Sequence, residues 1–356
     1  MNVSSTTAST DQGTVYGGDF YAAMRLPQFQ TLCYSWNPAV IRCSETDQEN
    51  CVVLSPTEQI EHLKLAASFA GLEMAEPVLP ESHHTVVGKM RFHYLDWGNA
   101  IRPPILFLHG GGLNAHTWDL VCLMLRDSFH CVALDQRGHG DSEWEPTANY
   151  SFESQVQDVA GFVEKLKLHR PLVVGHSMGG FAAMGYSIEH APTMAGLVLV
   201  DIAPELEFTG SSRIRQFITQ DRELDSVDAF IEKAMSFNPR RNRELLRRSL
   251  MHNLRQLPSG RWTWKHDPNR MSGDFEKERK ARVEHINSSA GKITCPVLVL
   301  RGDRSDVLTD AAAQQFASAV PNGRWLRVPN AGHTIQGDNP RGLLEALWPF
   351  IREVGL

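Results

Sequence analysis

The sequence has few cysteines, no surplus of basic charge and no long apolar run, and each absence removes a class of function. Lysine and arginine total 35 against 41 aspartates and glutamates, a net charge of -6. That balance supplies no concentrated cationic surface for a phosphate backbone, so nucleic acid is not an expected partner. The densest basic run is Arg240, Arg241, Arg243, Arg247 and Arg248. Such a run ordinarily forms a solvated helix face, and it is assigned no chemistry. No stretch of eighteen apolar residues occurs, which excludes a membrane-spanning helix. The first eighteen residues lack the basic start and apolar core of an export signal, so the cytoplasm is the expected compartment. Six cysteines, at 33, 43, 51, 122, 131 and 295, include no CxxC pair and no zinc-type His/Cys spacing. They are expected to be reduced thiols, and no metal is implied.

What is present is an ordinary globular composition, 42% hydrophobic and 21% charged, in a chain long enough for one large core with an added part. Residues 1–83 form an N-terminal extension without sustained periodicity except at its end. There Ser55-Pro56-Thr57-Glu58 is a capping box with proline at the first helical position, predicting a helix over 55–70. Its Ile60, Leu63, Ala67 and Ala70 share one face, which would pack on the main domain or on a second copy in a homodimer.

From residue 84 the pattern is strand, turn, strand, over 84–87 and 90–97. Short apolar runs then alternate with helical segments: 105–108, 131–134, 172–174, 197–200, 297–300 and 325–328. Alternation of that kind predicts an α/β fold with a mostly parallel central sheet and helices on both faces. The rhythm breaks over 205–290, which shows helical patterning and no apolar strand. The core is therefore expected in two parts, 84–204 and 291–356, around a helical insertion.

Chemistry gathers at the ends of the predicted strands. Leu172-Val173-Val174-Gly175-His176-Ser177-Met178-Gly179-Gly180 places G-x-S-x-G directly after a strand and before a helix. A serine on such a turn projects its hydroxyl clear of the sheet, and the glycines on either side remove side chains that would collide there. A serine hydroxyl is a weak nucleophile until a base takes its proton. Of the fifteen histidines, His333 is set apart by its place in a loop after the last predicted strand. The imidazole in turn requires a carboxylate to fix its tautomer. Asp303 and Asp306 follow the strand 297–300, and Asp201 ends an earlier one. The oxyanion formed on attack needs two N–H donors. His109-Gly110-Gly111-Gly112 follows the strand 105–108 and offers the N–H of Gly111, and Met178 just past the serine offers the second. No G-x-x-x-x-G-K-[ST] accompanies that glycine run, which argues against a phosphate cradle.

In these motifs, with Asp135-Gln136-Arg137-Gly138-His139-Gly140-Asp141-Ser142, the chain resembles the α/β-hydrolase superfamily over residues 84–354. The resemblance implies a serine hydrolase acting on a carboxylic ester or lactone through an acyl-enzyme, with no cofactor. It implies Ser177 as nucleophile, His333 as base and Asp306 as acid, because Asp306-Val307-Leu308 is similar to the acid loop of relatives. Asp303 is then a turn residue, while some relatives carry the acid where Asp201 stands. The D-x-R-G-H-G-x-S stretch is a structural turn in the family, so His139 and Asp141 receive no step. The 205–290 insertion corresponds to the family's variable lid. Its Trp262 and Trp264, and His176 beside the nucleophile, are candidate contacts for a small-molecule substrate with a hydrophobic or aromatic body. Carbon-carbon bond hydrolysis, with Arg137 or a lid arginine receiving a carboxylate, is the rival reaction. A ligand-binding protein with little turnover is the rival class. Ser177 argues against the epoxide hydrolases and dehalogenases, which use aspartate at that point.

Overall fold

The computed structural model describes residues 55–74, 76–271 and 275–356. The first 54 residues of the N-terminal extension lie outside the described residues.

Ser55 starts helix α1 (Pro56–Phe69) as its sequence requires. Its hydroxyl accepts the Glu58 N–H, and its own N–H donates to the Glu58 carboxylate at 2.7 Å. Leu63, Ala66 and Ala67 are buried, and Leu63 joins the cluster that holds Trp97 and Trp118. The apolar face of α1 is thus satisfied within its own chain.

An antiparallel pair follows, β1 (Glu81–Val87) and β2 (Met90–Asp96). Next come β3 (Pro104–Leu108), α2 (Asp119–Leu125), β4 (His130–Leu134), α3 (Phe152–Lys165), β5 (Leu172–His176), α4 (Met178–His190) and β6 (Gly196–Val200). The insertion holds α5 (Phe208–Thr219), β7 (Glu223–Leu224), α6 (Val227–Phe237), α7 (Arg243–Asn253), β8 (Leu254–Gln256), β9 (Trp262–Trp264) and α8 (Phe275–Ser289). The chain ends with β10 (Val297–Gly302), α9 (Asp310–Ala319), β11 (Gly323–Val328), the short α10 (Ile335–Asp338) and α11 (Pro340–Glu353).

Eight strands make one sheet in the order β1-β2-β4-β3-β5-β6-β10-β11, in which only β2 runs against the rest. Strand residues alternate between two cores because successive side chains point to opposite faces. Leu106 and Leu108 meet Phe162 and Phe181 on one face, while Ile105 and Phe107 meet Trp118 and Phe350 on the other. Both faces are apolar, which is why the buried strands read as continuous hydrophobic runs.

The insertion differs from the all-helical expectation, since β7, β9 and β8 form a small antiparallel sheet. Strands of two or three residues are too short for alternation to register in a sequence window. Phe230, Ile231, Leu246, Leu250 and Trp264 give the insertion its own apolar cluster. Among the described residues, no helix is long and apolar enough to cross a membrane.

Candidate active site

Strand β5 ends at His176, and Ser177 is held at φ 52°, ψ -116° as the residue before α4. A non-glycine residue with positive φ is strained, and here the strain turns the side chain out over the end of the sheet. Close backbone approach makes the turn possible. A Cβ on Gly175 would stand 2.6 Å from the Gly179 carbonyl oxygen, and one on Gly179 would stand 2.6 Å from those of Leu108 and His109. The Gly179 N–H instead donates to the His109 carbonyl at 3.1 Å, seating α4 against the loop after β3. That loop adjoins the serine: a Cβ on Gly110 would lie 3.2 Å from Ser177 Cβ. Among the described residues, no acceptor takes the N–H of Gly111 or Met178. Gly111, Met178, Ser177 and His333 border one cavity of about 720 Å³ between the sheet edge and the insertion.

His333 lies in the loop between β11 and α10, and its Nδ1 is 2.8 Å from Asp201 Oδ2. Asp201 is fully buried immediately after β6. Its carboxylate accepts the Gly302 N–H at 2.8 Å and the Ser305 hydroxyl at 2.5 Å, both from the end of β10 and the loop beyond. Three donors therefore converge on one acid, which fixes its orientation toward the imidazole.

This placement corrects the expectation for Asp306. Its side chain is 53% exposed and paired with Arg213 at 2.7 Å, while His333 Nδ1 is taken by Asp201. The cause is local: α5 packs so closely on this loop that a Cβ on Gly210 would fall 2.0 Å from the Asp306 carbonyl oxygen, and Ser305 is the side chain turned inward. Asp303 is a turn residue, its carboxylate accepting the Ala331 N–H at 3.1 Å.

His176 borders the cavity, but both of its ring nitrogens are engaged. Nε2 donates to the His333 carbonyl at 2.9 Å, and Nδ1 accepts from the Gln336 amide at 3.2 Å. Burial, and then the neighbouring His333, push the His176 imidazole well below its usual range, so it is neutral. Its Nε2 contact holds the loop that carries His333. Trp264 borders the cavity and packs edge-on against Phe230 and Phe217. Trp262 does not reach the cavity and packs within the insertion. Of the three candidate substrate contacts, His176 and Trp264 border the cavity and Trp262 does not.

The D-x-R-G-H-G-x-S stretch is a hydrogen-bonded turn. Asp135 accepts from the Ala115 N–H and the Asp141 N–H and binds His93, and these contacts outweigh burial to hold its carboxyl down at about 2. Arg137 is bound to both oxygens of Asp158 and is not free to receive a substrate carboxylate. The Arg240 to Arg248 run is only partly a solvated face. Arg243 and Arg247 pair with Asp228, whereas Arg248 reaches the buried Asp119 in α2 and Arg241 pairs with Asp338. Two clusters bring potential metal ligands together, His116 with Asp119 and His252, and His93 with Asp135 and Asp141. In each, the buried carboxylate already serves protein donors.

Sequence reasoning passed over two supports of this site, Ser305 and Gln336, and a cation beside it, Arg270. Arg270 alone carried a signal, as one of the arginines in the insertion.

Comparison with known proteins places these features in a family. A family model described as alpha/beta hydrolase fold matches residues 103–340. The chain is 33% identical over 275 residues to Esterase Rv0045c of Mycobacterium tuberculosis, spanning 75% of this chain and 88% of that protein. It is 28% identical over 274 residues to the sn-1-specific diacylglycerol lipase ABHD11 of Mus musculus, spanning 74% and 85%. A crystal structure of the Mycobacterium tuberculosis esterase superposes with a TM-score of 0.68 at 30% identity, covering 84% of this chain and all of that one.

Proposed function

The chain belongs to the α/β-hydrolase family and is a hydrolase, and from that premise we propose that it cleaves a carboxylic ester or lactone through an acyl-enzyme on Ser177. His333 removes the Ser177 proton as the oxygen attacks the carbonyl carbon, and Asp201 stabilises the imidazolium that forms. The N–H groups of Gly111 and Met178 receive the oxyanion. Collapse expels the alcohol, which takes the proton from His333. Water, deprotonated by the same imidazole, then releases the acid. Neither a metal nor an organic cofactor enters these steps.

The observation that carries this reading is the 2.8 Å contact from His333 to the buried Asp201, on a loop that borders the same cavity as the strained Ser177. We read the 205–290 insertion as the lid. Leu113, Phe181, Phe217, Ile218 and Leu250 line the cavity and suit a substrate with a hydrophobic body. The buried free thiols of Cys122, Cys131 and Cys295 suit a reducing, cytoplasmic compartment. A homodimer through the outer side of α1, where Leu65 and Phe69 stand exposed, is tested by sizing the wild type against Leu65→Glu.

The deciding experiment is Ser177→Ala assayed with 4-nitrophenyl acetate, alongside circular dichroism. Turnover should fall by about 10⁴-fold or more with the fold unchanged. Retention of the wild-type rate would remove Ser177 as the nucleophile. Dienoate substrates assayed in parallel test the rival carbon-carbon cleavage.

A further inference from the structure

Arg270, in the short helical turn Pro268–Met271 of the insertion, is a cation that forms no ion pair among the described residues, beside the candidate oxyanion site. Its Nε and Nη2 are shut off from solvent and have no hydrogen-bond partner among the described residues, and Nη1 lies 3.7 Å from Met178 Sδ. A Cβ on Gly111 would be 3.0 Å from Nη2, so the guanidinium lies beside the residue whose N–H the esterase reading assigns to the oxyanion. The nearby Asp267 acts on it through its charge but forms no ion pair with it. Asp267 gives its oxygens to the Tyr150 hydroxyl at 2.5 Å and the Asn269 N–H at 2.8 Å. His139 and His266, whose imidazoles burial and then the charge of Arg270 push far down, His266 to about 3, are neutral. Burial also lowers Arg270 itself, to about 10, which leaves it charged at neutral pH.

The other arginines around the cavity sharpen the contrast. Arg137, Arg213, Arg241 and Arg279 border the same space and have a carboxylate partner each, while Arg240 and Arg304, which also border it, are exposed to water. Arg282 lies over the Phe181 ring at 3.9 Å, its Nε also without a partner. A guanidinium held out of water with two N–H positions unpaired is unfavourable unless something supplies the missing acceptors. Its planar fork matches a carboxylate in two parallel hydrogen bonds.

We propose that Arg270 receives a carboxylate carried by the substrate a few bonds from the carbonyl that Ser177 attacks, making this a hydrolase of half-esters of short dicarboxylic acids. The assignment rests on the esterase reading above and narrows it. A neutral ester leaves Nε and Nη2 without acceptors, as they stand now, whereas a half-ester supplies them. The carboxylate also anchors the acyl chain beside the N–H groups of Gly111 and Met178.

The test uses the full chain and two esters matched in length, 4-nitrophenyl hydrogen glutarate and 4-nitrophenyl pentanoate, with spontaneous hydrolysis subtracted. Wild type should favour the glutarate by about 10-fold or more in kcat/KM, mainly through KM. Arg270→Met should abolish that preference, the loss on the glutarate exceeding any change on the pentanoate by about 10-fold or more, and Arg270→Lys should keep part of it. No preference in wild type, or an equal loss on both esters in Arg270→Met, would overturn the proposal. A measurement that needs no turnover separates this idea from the esterase reading: thermal stabilisation by glutarate and by inorganic phosphate. Stabilisation by glutarate that vanishes in Arg270→Met upholds the carboxylate site even if neither ester is cleaved. A larger effect from phosphate would overturn the carboxylate assignment, and no effect from either anion would overturn the site.

Discussion

His333 and Asp201, 132 residues apart in the chain, meet at 2.8 Å because β6 and the loop after β11 end at the same edge of the sheet. This contact separates two aspartates that compete for one role. Asp201→Asn should lower kcat by about 10³–10⁴-fold with little change in KM, since the amide no longer fixes the useful tautomer of the base. Asp306→Asn should stay within about twofold of wild type, because it loses only an exposed pair with Arg213. Steady-state kinetics on a 4-nitrophenyl ester decides the matter, and a reversed pattern would return the acid to Asp306.

Stability should depend on pH through histidines that are buried and neutral. Burial lowers His109 to about 4 and His266 to about 3, and it holds His139 and His176 well below 6.5. The unfolded chain takes up protons on these residues as the pH drops below about 6.5, and the folded chain does not. Their contribution is therefore complete above that pH and is lost on acidification, by up to about 1.4 kcal/mol per pH unit for each residue. Asp135, held down at about 2, adds a loss of the same sign below about pH 4. Urea midpoints at pH 7.5, 6 and 5 should fall in that order, and a flat profile would contradict the assignment.

Gly179→Ala tests the close approach of α4 to β3. Its methyl group would meet the carbonyl oxygens of Leu108 and His109 at 2.6 Å, and backbone cannot retreat as a flexible side chain can. A loss of about 3 kcal/mol, with esterase activity falling further than stability, is expected. Gly291→Ala is the control, since nothing lies within 4 Å of its Cβ position. Melting temperatures of the two variants should differ clearly.

Arg248 in α7 reaches Asp119 at the start of α2, and these side chains are only 14% and 2% exposed. Arg248→Met leaves the carboxylate with His116 alone. A cost of about 3 kcal/mol follows, at the low end for breaking a buried pair because one partner remains. The loss should concentrate in the insertion, so trypsin should cut within 205–290 sooner than in wild type. Uniform cleavage across the chain would argue that the pair does not fasten the insertion.

The sheet was legible because each buried strand is an apolar run flanked by turn residues, and the elbow because its glycines are demanded by contacts as close as 2.6 Å. The acid was not. Asp303, Ser305 and Asp306 all follow β10, and which one turns inward depends on α5 lying against that loop, a contact made across nearly a hundred residues of sequence. Asp201 sits at φ 53°, a conformation no local pattern announces. Trp262 and Trp264 illustrate the same limit: two residues apart on β9, they differ in whether they reach the cavity.

The two side chains that hold His333, Asp201 through the ring and His176 through the main chain, both extend from the sheet and neither from the segment that roofs the cavity. Exchanging the part of that roof beyond α5, which must stay against the loop after β10 to keep Ser305 on Asp201, should leave the contact between His333 and Asp201 in place. Substrate choice could then be re-engineered as an interchangeable cassette, with the turnover machinery left untouched beneath it.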